Sequence, residues 1–171
     1  MQGQSAKYIK DVKGELKEIG SECINSDPLH LGTLSCLKIL YAFRDPPKYD
    51  QAKNRIVAGE AIRLRAKERD LFGYDALIVI AQKLWQEMRP VDRTKLIWHE
   101  LYHFDVELDD GAQPCLDDSG RIKIKIRKHD LNIERFEAEI EKFGPDAEER
   151  VAMKRVSRLY KKTVVNKNVK G

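Results

Sequence analysis

The residues with the clearest chemical potential are His99 and His103, four apart, with Glu100 beside the first, in Trp98-His99-Glu100-Leu101-Tyr102-His103-Phe104. On a helix of 3.6 residues per turn, positions i and i+4 project from one face, so both imidazoles can reach a single metal ion. Imidazole is a common nitrogen donor to zinc, and a carboxylate next to the pair can take a proton from water and return it later. The His-Glu-x-x-His spacing therefore predicts a helix-borne site for Zn2+-assisted hydrolysis, with Glu100 as general base and acid. The competing reading is a polar helix face in contact with water. Leu96, Trp98, Leu101 and Phe104 argue against it, because they surround the three polar residues with apolar ones. A part-buried glutamate beside two histidines needs strong partners, and a metal meets that need.

A catalytic zinc usually takes three protein ligands, and one helix cannot surround the ion. The chain has four histidines. His30 lies far upstream among apolar residues. His129 follows a strongly patterned segment at an element end, where a side chain can be aimed without breaking a ladder, and it is the expected third ligand. Glu134 and Glu137 are acidic alternatives, and Cys115 is a further conceivable ligand that reads more simply as a small buried hydrophobe. Asp130 fits a helix cap or a hydrogen-bond acceptor for a ligand imidazole. Tyr102, Arg127 and Tyr74 are candidate donors to an oxyanion, and nothing in the sequence selects among them.

The elements that must position these residues follow from periodicity. Tyr8, Ile9, Val12, Leu16 and Ile19 predict an amphipathic helix over 6–19, ended by Gly20. Pro28 opens a second helix, expected to run to about Phe43 and to stop at Pro46-Pro47. Residues 44–54 read as a polar loop. Ile62, Leu64 and Ala66 alternate with Arg63, Arg65 and Lys67, which predicts a strand exposed on one side within 55–67. Leu77-Ile78-Val79-Ile80-Ala81 reads as a central strand covered on both faces. A helical turn over 83–88 should turn Leu84, Trp85 and Met88 inward. The histidine helix should start at Pro90 or Asp92 and end at Asp109-Asp110-Gly111. Arg121 to Lys128 alternates isoleucine with cations and is the cleanest strand in the chain. Residues 131–143 read as a helix stopped by Gly144-Pro145. These elements predict an α+β domain with a three- to four-stranded antiparallel or mixed sheet packed on the histidine helix.

At 171 residues the chain is long enough for one domain with a sizeable core. Three cysteines, none close in sequence, do not make a disulfide framework. No apolar run approaches the roughly 20 residues of a membrane helix, and no signal-peptide pattern opens the chain, so no membrane partner and a cytoplasmic location are expected. The net charge of +4 is unevenly spread: Arg150 to Gly171 holds eight cations and no carboxylate, which leaves −4 for residues 1–149. A basic tail of this kind is either solvated surface or a segment that neutralises nucleic-acid phosphates.

The order of these features resembles the putative phage metallopeptidase family, small zincin-like domains. The resemblance rests on the strand Leu77–Ala81, Trp85, the helix ending in Leu96-Ile97-Trp98-His99-Glu100-Leu101-Tyr102-His103-Phe104, and Lys128-His129-Asp130 after an alternating strand. It also takes in Leu37-Lys38-Ile39-Leu40-Tyr41-Ala42-Phe43-Arg44, and it is strongest over residues 27–144. The zincin-like metallopeptidase domain is expected to span residues 1–145, and a basic tail over 146–171, part helical or disordered, lies outside the resemblance. The resemblance implies that His99, His103 and His129 bind zinc, that Glu100 is the catalytic acid/base, and that the substrate is a peptide or protein. Six residues after His103, where better-known zinc protease clans carry another histidine, this chain has Asp109. Two other readings stand beside it: a metal site kept only for stability or non-peptidase hydrolysis, and a DNA-associated protein whose metal domain acts on DNA-bound proteins.

Overall fold

The computed structural model describes residues 7–52, 54–129, 139 and 142–144. Residues 1–128 and 129–171 form two compact units, and every element described below belongs to the first.

The frame of that unit is a four-stranded sheet in the order β1-β2-β6-β5. Strand β1 (Lys7–Lys10) pairs antiparallel with β2 (Ile39–Asp45), and β2 runs parallel to β6 (Ala76–Ala81). Strand β5 (Gly59–Arg63) closes the other side, antiparallel to β6, so the sheet is mixed and the fold is α+β. A small hairpin, β3 (Tyr49–Asp50) with β4 (Arg55–Ile56), fills the connection between β2 and β5. Strand β6 is the central strand its apolar run predicts: Ala76, Ile78 and Ile80 are fully buried, and Val79 and Ala81 nearly so.

Helices α1 (Glu15–Ser26) and α5 (Pro90–Tyr102) pack on one face of this sheet. Cross-strand neighbours share a face, so Tyr41, Ile78 and Ile80 lie on the same side as Gly59 and Ala61. On that side Gly20 of α1 sits against the Tyr41 ring, and Gly59 sits against the Glu100 side chain of α5. Arg93 of α5 bonds Glu15 of α1 at 2.8 Å and ties the two helices. Helix α2 (Pro28–Leu31), helix α3 (Ala66–Phe72) and helix α4 (Gln82–Glu87) are connectors, and Trp85 of α4 is buried with its edge toward Phe43. Leu84 and Met88 are half-buried, as the periodicity predicts. A third pairing, β7 (Phe104–Val106) antiparallel to β8 (Ile124–Ile126), follows the histidine helix directly.

Four expectations are corrected. Residues 6–19 are not one helix: Lys7–Lys10 extend as an edge strand, Gly14 turns the chain at φ 74°, and the helix starts only at Glu15. There the Asp11 carboxylate accepts the Leu16 and Lys17 amides, and Gly20 falls inside the helix rather than at its end. The helix expected to run to Phe43 stops at Leu31 and gives way to a 3-10 turn (Gly32–Cys36) and then to β2. Gly32, Thr33 and Ser35 are poor helix formers, and the aromatic, apolar run from Ile39 gains more by pairing with β6. The chain over 55–67 holds two short strands and the start of α3, not one strand, because Arg65 takes an extended conformation and its amide is capped by Glu68 at 2.7 Å. The histidine helix ends at Tyr102 rather than near Asp109. Phe104, Val106 and Leu108 alternate with Asp105, Glu107 and Asp109, and that period of two belongs to a strand. Of the helix expected over 131–143 only Glu139, Lys142 and Phe143 are described, and they are helical; the tail over 146–171 lies outside the described residues.

Gly20 tests the helix-to-sheet packing. A Cβ there would stand 2.7 Å from Tyr41 Cζ and closer still to its hydroxyl. Alanine gains up to about 1 kcal/mol of helix propensity, against an overpacking cost of about 1–3 kcal/mol. Gly20→Ala is therefore expected to lower stability in urea unfolding, and the loss should shrink when Tyr41 is Phe.

Candidate metal centre

The site begins with the register of α5. Ile97, Trp98, Glu100 and Leu101 are buried, while His99 and His103 are half-buried on the neighbouring face. Their rings lie 5.1 Å apart, edge to face. The helix is fixed from behind by Trp98, which is fully buried and donates its Nε1 hydrogen to Asp27 at 2.9 Å. Asp27 also bonds His30 Nδ1 at 2.9 Å, and the His30 ring packs edge-on against Trp98 and Tyr102. His30 is thus committed to the support of the helix.

His103 sits where the helix turns into β7, and its orientation is imposed by Arg127. The Arg127 amide donates to the His103 carbonyl at 2.7 Å, and His103 Nδ1 lies 2.8 Å from the Arg127 carbonyl. A carbonyl oxygen only accepts, so Nδ1 carries the hydrogen. In a neutral imidazole the lone pair is then on Nε2, the form a metal requires. The Arg127 guanidinium lies 4.2 Å above the Tyr102 ring and bonds both the Tyr102 carbonyl and Asp105. Tyr102 in turn stacks on Trp98 at 4.9 Å. The two oxyanion-donor candidates Arg127 and Tyr102 therefore meet each other in a bracing role. Tyr74 is half-buried in the turn before β6.

His129 follows Arg127 by two residues. Among the described residues, His99, His103 and His129 are the one group of three or more side chains suited to hold a metal: each offers a ligand nitrogen, and these atoms lie within 4.8 Å of one another. An all-imidazole set with one ring already held in the metal-binding tautomer fits a borderline cation such as zinc. Cys115 is outside this group; its backbone joins Glu107 and Lys123. Asp109 organises its own loop, accepting the amides of Gly111 and Gln113. Asp130, Glu134 and Glu137 lie outside the described residues.

The family model described as putative phage metallopeptidase matches residues 7–164. The chain belongs to that family. Neither the curated proteins nor the solved structures give a match. The α+β architecture, with its mixed sheet against the histidine helix, agrees with a small zincin-like domain, and the three-histidine group agrees with a metal-dependent one. A peptidase family implies a protein or peptide substrate. Among the described residues no helix is long and apolar enough to cross a membrane.

Gly59 is a residue of the site that the sequence reading missed. Glu100 is only 4% exposed, and its side chain lies directly over Gly59 on the sheet edge. A Cβ at Gly59 would stand 2.8 Å from both Cγ and Cδ of Glu100 and would also meet its carboxylate oxygen. The available signal was a glycine inside the segment 55–67 read as a strand, where a missing side chain marks close approach of another group. Gly59→Ala is expected to leave metal binding by the histidines unchanged while forcing Glu100 aside. Cobalt titration checks the first half, and a crystal structure of the variant checks the second.

Proposed function

We propose that the protein is a zinc-dependent peptidase in which His99, His103 and His129 hold the metal and Glu100 is the general base and then the general acid. The observation that carries this reading is the His103–Arg127 bond, which fixes one ligand ring in its metal-binding tautomer beside a buried carboxylate. A bound zinc ion supplies Lewis acidity, lowering the pKa of water and polarising a carbonyl. Glu100, next to His99 on the helix that His103 caps, accepts the water proton and delivers it to the departing amine. Its side chain is buried against Gly59, which places the carboxylate between the helix and the sheet edge.

The edge of β5 supplies a place for an extended peptide. Ala81 N–H bonds Ala58 C=O, and Leu64 N–H bonds Asp75 C=O, so the even-numbered residues of β5 face β6. The backbone groups of Gly59, Ala61 and Arg63 then point outward, and among the described residues no strand pairs with them. A substrate chain added there as a strand passes next to Glu100. The reading extends to a cytoplasmic enzyme whose zincin-like domain spans residues 1–145.

Glu100→Gln should retain about one zinc per chain and lose peptide hydrolysis by on the order of a hundred-fold or more. His103→Ala should lose the zinc as well. Metal analysis and peptide turnover on the same preparations separate the two, and full turnover by the Gln variant would refute the role of Glu100.

A further inference from the structure

A cleft of about 440 Å³ opens at the C-terminal end of β5, between that strand, α3 and the chain leading into β8. Five cations line it: Arg63, Arg65, Arg69, Arg121 and Lys123. Two of them are walls. Arg69 pairs with Asp75 and donates to the Ile122 carbonyl at 2.9 Å. Arg121 pairs with Asp117 and Asp70 at 3.2 and 3.1 Å. These bonds join α3 to the segment before β8 and give the cleft a fixed shape.

The other three cations are held less firmly: Lys123 acts on Glu107 through its charge alone, which helps lower that carboxyl's pKa. Among the described residues Arg63, Arg65 and Lys123 form no ion pair, and Arg63 makes only a single bond, to the Ile124 carbonyl at 3.0 Å. The carboxylates that share the cleft are already engaged. Glu107 is held by Lys125 at 2.9 Å, which lowers its pKa, and Asp117 accepts from Arg121 and from backbone amides. The cleft therefore holds more cations than carboxylates, and its net charge is positive. Single exposed cations are ordinary surface. Several in one concavity, in excess of the acids there, raise the local concentration of an anionic group.

The position of the cleft identifies the partner. Arg63 is the last residue of β5 and shares a face with Gly59, which abuts Glu100. Four residues of strand span about 13 Å. We propose that this cleft is a specificity subsite for acidic side chains, Asp or Glu, placed about four residues from the bond presented to Glu100 in a peptide lying along β5. This rests on the peptidase reading for its register but not for its chemistry, since the cleft would select an acidic peptide whether or not the bond is cut.

The test uses the full-length Glu100→Gln protein, so that binding is read apart from turnover. Fluorescence anisotropy compares labelled peptides carrying two Glu residues with the same peptides carrying Gln. The Glu peptides are expected to bind about ten-fold more tightly at low salt, with the advantage falling as salt rises. Arg65→Glu with Lys123→Glu changes exposed side chains and should abolish that advantage and favour a Lys-bearing peptide instead. Equal binding of the Glu and Gln peptides, or an unchanged preference in the double variant, overturns the subsite. So does an oligonucleotide that displaces the Glu peptide from the parent protein and binds the double variant more weakly, because the cleft is then a phosphate site. A retained Glu preference in a wild-type chain that cuts no peptide supports the cleft and counts only against the peptidase reading.

Discussion

The site depends on two hydrogen bonds between His103 and Arg127. One is the backbone bond that opens the β7–β8 ladder, and the other runs from the imidazole to the Arg127 carbonyl. Together they require the histidine helix to stop where it does. Had α5 continued past Tyr102, the His103 carbonyl would be turned into the helix and the chain after β8 would have nothing to pair with. The end of the helix is consolidated by the arginine itself, whose guanidinium takes the Tyr102 carbonyl, an orphan acceptor of the last turn. A cation in that position also complements the negative end of the helix. The same residue thus terminates the helix and orients the His103 ring.

Behind this junction stands a second constraint, the packing of α5 on the sheet. A fully buried tryptophan leaves its indole N–H without water, and an orphaned buried donor costs about 1–3 kcal/mol. Asp27 removes that cost and is itself shared with His30, so a polar network lies inside an otherwise apolar layer. On the opposite side of the helix Glu100 is brought within contact of the sheet only because position 59 has no side chain. A glycine in a strand weakens it, and here that loss admits a carboxylate to a place where its rotamer is fixed.

The histidine cluster was easier to read from the sequence than the frame around it. The spacing of His99, Glu100 and His103 is a local property of a helix, and the apolar neighbours marked that helix as internal. His129 was legible because histidines are few and one stands at an element end. What local pattern could not give was the strand identity of Ile39–Phe43, a continuous apolar run that suits either a helix or a doubly covered strand. Its parallel partner β6 lies more than thirty residues on, and that pairing decides the matter. The end of α5 is a different failure. The alternation of Phe104, Val106 and Leu108 with three acids was present, but a helical count from Ile97 also accommodates Leu101, Phe104 and Leu108. Gly59 gave only its lack of a side chain, and the contact that uses it comes from a helix forty residues away.

The two edges of the sheet are treated differently, and this difference bears on function. An unpaired edge invites association with other chains, and lysines at a strand's ends oppose it. Strand β1 has Lys7 and Lys10 at its ends. Strand β5 begins instead with Gly59-Glu60-Ala61, so the outward backbone of its first half is flanked by one residue without a side chain and one with a methyl group. Its cations come only at Arg63 and beyond, where the chain leaves the carboxylate of Glu100 behind. An edge selected purely against pairing would place the charge where the backbone is most accessible. Here the unpaired backbone is next to the buried carboxylate and the charge is displaced along the strand, the order expected of an edge that admits a main chain first and then discriminates among side chains.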